Sequence, residues 1–241
     1  MAGIELIDIH KTYRVDNREI PVLNGINLSL PTGRITVILG QSGCGKTTLL
    51  RLMTGLMRPV EGEILWRGTP ILKAAQDFWR ELCYIGHRNG VKDDLSVIEN
   101  VLINARVASL KATREDARRA LAAVGLAEYE DVPAGQLSQG QRRRVALARL
   151  WLSESVVLWV LDEPFTALDV KAVARLSDLI SKHVREGGVV MLVTHQEVPV
   201  DKSQLHIIEP ERWAPRRRSA VERAMDDAAA AEAENALNAG A

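Results

Sequence analysis

Gly40-Gln41-Ser42-Gly43-Cys44-Gly45-Lys46-Thr47 constrains this chain more than any other stretch. It follows the apolar run Ile35-Thr36-Val37-Ile38-Leu39 and leads into Thr48-Leu49-Leu50-Arg51-Leu52-Met53. Strand, glycine loop and helix in that order form the setting in which a G-x-x-x-x-G-K-[ST] pattern holds phosphate. The glycines let backbone N–H groups turn inward around phosphate oxygens, and the helix that follows points its positive end at the same anion. Lys46 can then reach the β- and γ-phosphates of a nucleotide, and the Thr47 hydroxyl can ligate Mg²⁺. Residues 40–48 are therefore the first candidate binding site.

A second element fits the same chemistry. Val156-Val157-Leu158-Trp159-Val160-Leu161 reads as a buried strand, and it ends in Asp162-Glu163. A carboxylate at such a strand end places Asp162 beside the Mg²⁺ held by Thr47. The next carboxylate, Glu163, is placed to polarise an attacking water.

The patterning between these elements is that of one α/β domain. Residues 4–9 and 20–30 alternate apolar and polar, as half-buried strands do. Residues 35–39, 156–161 and 189–193 read as fully buried parallel strands. Helices are predicted from Lys46, over 113–124 up to Gly125, from the capping pattern Ser138-Gln139-Gly140-Gln141, and over 170–184, where Val173, Leu176, Leu179 and Ile180 share a face. Residues 75–155 carry mostly helical pattern and are predicted to form an inserted helical subdomain within a domain spanning 1–210. The remainder, 211–241, is Ala-rich and charged and includes Arg216-Arg217-Arg218. It has little to bury and reads as a flexible tail or loose helix.

Composition bounds the function classes. The 241 residues are 46% hydrophobic, ample for a large core. Lys+Arg and Asp+Glu are both 31, so no global field favours nucleic acid. There are two cysteines, and Cys44 lies inside the glycine loop, so reduced thiols are the expectation. The first residues show no charged-then-apolar leader, and no apolar run reaches the about 18 residues of a membrane span, so any membrane work would come through a partner.

Leu137-Ser138-Gln139-Gly140-Gln141 makes the pattern specific. With the phosphate loop, the Asp162-Glu163 strand end, Thr166-Ala167-Leu168-Asp169 and Thr194-His195, all in order, the chain resembles an ABC-type ATPase subunit over about residues 4–208. The resemblance implies a P-loop NTPase fold of ABC type: a mostly parallel core sheet, an antiparallel β edge and an inserted helical subdomain. It implies ATP and Mg²⁺ as ligands, and a head-to-tail dimer with a second copy that sandwiches two ATP molecules. Ser138, Gln139, Gly140 and Gln141 of each copy would then face the γ-phosphate in the other. Asp169 would sit at the dimer seam. His195 would contact the γ-phosphate and support Glu163 in catalysis. Tyr13, in Lys11-Thr12-Tyr13-Arg14, matches the aromatic position that stacks on adenine. His87 stands where most such ATPases carry a Gln that touches Mg²⁺ or the attacking water. An imidazole there can ligate metal, orient water or simply pack in its loop.

Several phrases resemble the haem-exporter ATPases of cytochrome c maturation: Tyr84-Ile85-Gly86-His87-Arg88-Asn89-Gly90, the run from Arg142-Arg143-Arg144 through Leu150-Trp151-Leu152, and Leu158-Trp159-Val160-Leu161-Asp162-Glu163-Pro164-Phe165. That subfamily implies a peripheral ATPase on the cytoplasmic face of a bacterial inner membrane, bound to integral membrane subunits of the haem-maturation type. Its cycle would drive haem export or release of a haem-loaded chaperone. No direct haem site is visible: there is no C-x-x-C-H, and the five histidines are scattered. Two other roles stay open, the ATPase of a different exporter or lipid pathway, and an ABC ATPase outside transport.

Overall fold

The computed structural model describes residues 2–15, 18–40, 44–194 and 198–208. The expected site residues Gln41, Ser42, Gly43 and His195, and the tail 211–241, lie outside the described residues.

Five strands form a parallel sheet in the order β6-β7-β8-β3-β9: β3 (Ile35–Leu39), β6 (Leu82–Ile85), β7 (Leu158–Asp162), β8 (Val189–Thr194) and β9 (Leu205–Ile208). All five residues of β7 and all six of β8 are buried. Strands covered on both faces need such unbroken apolar runs, which is why they stand out in the sequence. The antiparallel strands make a sheet of their own, ordered β2-β1-β4-β5: β1 (Ala2–Val15), β2 (Arg18–Pro31), β4 (Glu61–Trp66) and β5 (Thr69–Pro70). β1 and β2 are both longer than the alternating stretches suggest.

Helix α1 (Lys46–Met53) lies between the two sheets. Its Leu49, Leu50, Leu52 and Met53 pack with Ile4, Leu6, Ile9, Leu23, Ile26 and Leu30 of the antiparallel strands and with Ile38, Val160, Met191 and Val193 of the parallel ones. Helix α6 (Val170–Arg185) covers the opposite face. There Leu176, Leu179, Ile180 and Val184 meet Ile35, Val37, Trp159, Leu161, Val190 and Leu192, the alternate residues of the same strands.

The stretch 75–155 contributes more than helices. It opens with α2 (Ala75–Arg80), and β6 then adds an edge strand to the parallel sheet beside β7. Helices α3 (Val97–Val107), α4 (Arg114–Ala123) and α5 (Gln139–Ala148) build a cluster around Val97, Ile98, Val101, Leu121, Val124 and Val145. Each of the three begins at a capping box, on Ser96, Thr113 and Ser138. There the side chain accepts from the third helical N–H and a Glu, Asp or Gln reaches back to the cap.

The parallel register aligns the carboxyl ends of β6, β7, β8 and β3 on one edge: Leu39 lies opposite Thr194, Asp162 opposite Val193 and Ile85 opposite Leu161. Ligands of open α/β sheets sit at that edge.

Candidate functional site

The edge collects Gly40 after β3, Asp162-Glu163 at the end of β7 and Gly86-His87 after β6. Gly45 caps α1 at φ 91°, a left-handed conformation, and supplies no side chain to the first turn. That conformation favours glycine, and a Cβ there would also crowd Leu23 Cδ2 at 2.9 Å. No side chain caps the start of α1, and the N–H groups of a first helical turn favour an anion. Lys46 is buried, and its Nζ donates to the Gly40 carbonyl at 2.6 Å and lies 3.9 Å from Cys44 Sγ. Its ammonium is thereby held over the loop that would carry phosphate.

Thr47, His87 and Asp162 line one cavity of about 510 Å³, together with Arg51, Tyr84 and Gly86. Leu56, Arg88, Asn104 and Arg149 also line it, so it reaches from the strand ends to α3. Asp162 is 4% exposed, and its Oδ2 is buried with no hydrogen-bond partner among the described residues. Burial pushes its carboxyl up; the neighbouring His87, when charged, pulls it down, Glu163 pushes it up again, and Arg143 and Lys46 pull it down. Glu163 follows with φ 50°, a strained conformation for a residue with a side chain, and its N–H donates to the Val193 carbonyl at 2.8 Å.

Other expected residues lie away from that cavity. Tyr13 on β1 brings its hydroxyl to 3.3 Å from Thr48 Oγ1 and 3.4 Å from Met57 Sδ, which ties the end of β1 to α1. Ser138 and Gln139 at the start of α5 are exposed, as is Asp169 at the start of α6. Ser138 Oγ accepts from the Gln141 N–H at 3.2 Å, and Gln141 Oε1 accepts from the Ser138 N–H at 2.8 Å. Asp169 Oδ1 accepts from the Ala172 N–H at 2.8 Å, and Oδ2 lies 3.9 Å from Arg144 Nη1. Ser138, Gln139, Gly140, Gln141 and Asp169 are not among the cavity's lining residues.

Arg143 belongs to none of the site motifs. It lies on the face of α5 that carries Leu147 into the core under the parallel sheet, which Leu150 joins just after the helix. A charge on that stripe, four residues before a buried Leu, was the available signal. Burial lowers its pKa, and Asp162, Glu163 and Tyr84 oppose that fall.

The ABC transporter family pattern matches residues 23–166, more than half of the chain. The chain belongs to the ABC transporter ATPase family. Among curated relatives of this ATPase is the cytochrome c biogenesis ATP-binding export protein CcmA of Escherichia coli K12. It is 45% identical over 190 residues, which cover 79% of this chain and 89% of that one. The CcmA protein of Shigella flexneri matches to the same extent. Among solved structures, the dimeric post-hydrolysis state of the ATP-binding cassette MJ0796 bound to ADP and Pi superposes with a TM-score of 0.75 at 27% identity, covering 86% of this chain and 93% of that one. A putative ABC transporter ATP-binding protein from Pyrococcus furiosus does so with a TM-score of 0.72 at 25% identity, covering 88% and 99%. The ATPase thus has the α/β fold, ATP as ligand and ATP hydrolysis as chemistry. Among its described residues no helix is long and apolar enough to cross a membrane.

Proposed function

We propose that this ATPase powers an export complex of c-type cytochrome biogenesis, as a peripheral subunit on the cytoplasmic face of a bacterial inner membrane. The observation that carries the chemistry is the cavity that joins Thr47, Asp162 and His87 at the strand ends. The reading of the process rests on the 45% identity to CcmA over 79% of the chain and on the phrases around His87, Arg143 and Trp159, which resemble those of haem-exporter ATPases.

ATP binds with adenine against Tyr13 and its phosphates in the loop 40–48, where Lys46 transfers its hydrogen bond from Gly40 to phosphate oxygens. Asp162 fits a divalent cation: its Oδ2 is buried and has no other partner among the described residues, and Thr47 shares its cavity. One carboxylate and one hydroxyl suit Mg²⁺, which takes few protein oxygens alongside phosphates. Thr47 and Asp162 would hold it, with His87 beside them, and when bound it would neutralise charge on the β- and γ-oxygens.

The exposed start of α5 serves a second copy. In a head-to-tail dimer, Ser138, Gln139, Gly140 and Gln141 would meet the partner's γ-phosphate, and the helix N-terminus favours that anion. Asp169 would lie at the seam. The dimeric MJ0796 cassette supports this arrangement. Glu163 orients the attacking water, and His195, outside the described residues, would contact the γ-phosphate. Catalysis then comes from positioning and charge stabilisation.

We read residues 1–210 as one ATPase domain. Helices α3 to α5 would pass its opening and closing to integral membrane subunits; His87 lines the cavity that also holds Thr47, Asp162 and Asn104 of α3. The test is to express Glu163→Gln in its host, trap it with ATP and identify what co-purifies. Membrane subunits of haem maturation support the reading. A different permease discards the cytochrome assignment and keeps the ATPase.

A further inference from the structure

Arg143 is 5% exposed, and its guanidinium is shared between two parts of the site. Nη2 donates to the carbonyl oxygens of Asp162 at 2.6 Å and Glu163 at 3.0 Å. Nη1 donates to the Gly86 carbonyl at 2.9 Å and to Asn89 Oδ1 at 3.2 Å. A buried cation is retained only where such partners compensate its lost hydration. Here the partners lie on two segments outside α5, so the side chain is a cross-link.

What it links matters more than the link itself. Glu163 sits at φ 50°, and its N–H is fixed by the Val193 carbonyl of β8. Arg143 fixes the other side, the Glu163 carbonyl. The strained backbone of the proposed water-orienting residue is therefore held at both ends, once by the sheet and once by α5. At the opposite end of the guanidinium, Gly86 and Asn89 bracket His87.

We propose that Arg143 is a positioning residue for ATP hydrolysis: it clamps the Glu163 backbone and the His87 loop to the helix that begins at Ser138. Glu163 then holds its geometry toward water only while α5 is seated. Small displacements at a reacting centre cost large rate factors, so the link is a route from the start of α5 to the hydrolysis step. The fork is essential to it. Lysine keeps the charge but presents its donors from one nitrogen and cannot span both sides. The inference rests on the reading of Glu163 given above.

The test compares Arg143→Lys, Arg143→Gln, Glu163→Gln and the Arg143→Gln/Glu163→Gln pair in the full-length chain, by steady-state ATPase, Mg-ATP affinity and Tm. Both Arg143 variants are expected to lose about tenfold or more in kcat while affinity stays within about threefold. In the Glu163→Gln background, adding Arg143→Gln should change residual turnover little, because both act on one step. Wild-type kcat in Arg143→Lys overturns the proposal. So does a fall in its nucleotide affinity as large as its fall in kcat, which marks a scaffold residue. Arg143→Lys decides the matter if Arg143→Gln does not fold. Full turnover by Glu163→Gln alone overturns the Glu163 reading and the proposal with it, whereas the Arg143 outcomes bear on the proposal alone.

Discussion

Gly140 sits so close to Ala167 that a Cβ built on it would fall 2.6 Å from the Ala167 carbonyl oxygen. Gly140 is the second residue of α5, and Ala167 is itself held at φ 61° in the turn before α6. Two residues on, Asp169 caps α6 and lies 3.9 Å from Arg144 of α5. Helix α5 and the loop 166–169 are therefore in contact at two points. A methyl at 140 meets backbone, which no rotamer can relieve. Gly140→Ala is expected to cost about 1–3 kcal/mol of stability, as overpacking does. It should also lower ATP turnover at least about tenfold by displacing both faces proposed for the dimer seam. Thermal unfolding and steady-state ATPase check this, and wild-type values for both count against the contact.

Lys46 is held by the Gly40 carbonyl at 2.6 Å inside the loop it serves. Replacing it with Ala removes the ammonium proposed to meet the phosphates while leaving Gly45 and α1 in place. Mg-ATP affinity is expected to fall at least tenfold, about 1.4 kcal/mol or more, with Tm without nucleotide close to wild type. Titration with a fluorescent ATP analogue reads this directly, and retained tight binding would contradict the loop's role.

The parts legible in the sequence were those with local signals. The boundaries of β3 and α1 follow from an apolar run meeting a glycine loop, and the start of α5 follows from Ser138 and Gln141 three residues apart. β6 was hidden because four residues, Leu82-Cys83-Tyr84-Ile85, carry no periodicity of their own. They become a strand by pairing with β7, more than 70 residues away. The outer ends of β1 and β2 were missed because Arg14 pairs with Glu19 in an exposed ribbon that needs no apolar face. Arg142, Arg143 and Arg144 read as one charged run, yet Arg142 pairs with Asp93, Arg143 turns inward, and Arg144 reaches the Val124 carbonyl at the end of α4. Only the helix's rotation distinguishes them.

His87 is exposed, lines the cavity with Thr47 and Asp162, and acts electrostatically on Asp162. A side chain there that orients water or supports a bound cation contributes about 10–100-fold. His87→Ala is therefore expected to lower kcat about tenfold with little change in nucleotide affinity, and His87→Gln, which restores a polar group, should recover much of it. Initial-rate measurements on the two variants decide the point. If the Ala variant turns over like wild type, His87 only packs in its loop.

His183 of α6 stacks on Trp159 of β7, with ring centroids 3.8 Å apart and planes 5° from parallel. Its Nε2–H donates to the Val157 carbonyl at 3.1 Å, and a Cβ on Gly188 would lie 2.2 Å from that nitrogen, so the ring is enclosed. Burial lowers its pKa; the hydrogen bond to Val157 and the carboxylates of Glu186 and Glu154 oppose that. Lys182 lies within 3.4 Å of Glu154 and 4.0 Å of Glu186, which weakens their pull. The folded chain therefore takes up this proton at lower pH than the unfolded chain, whose histidine titrates near about 6.5. Below that value the unfolded state binds more protons, so stability falls as pH drops toward the folded pKa, and above about 7 the group contributes no pH dependence. The loss should be on the order of 1 kcal/mol per unit of separation. His183→Gln keeps a neutral donor for Val157 and removes the titration. Denaturant unfolding at pH 7.5, 6.5 and 5.5 should show a steeper fall for wild type than for the variant, and parallel curves would place the acid sensitivity elsewhere.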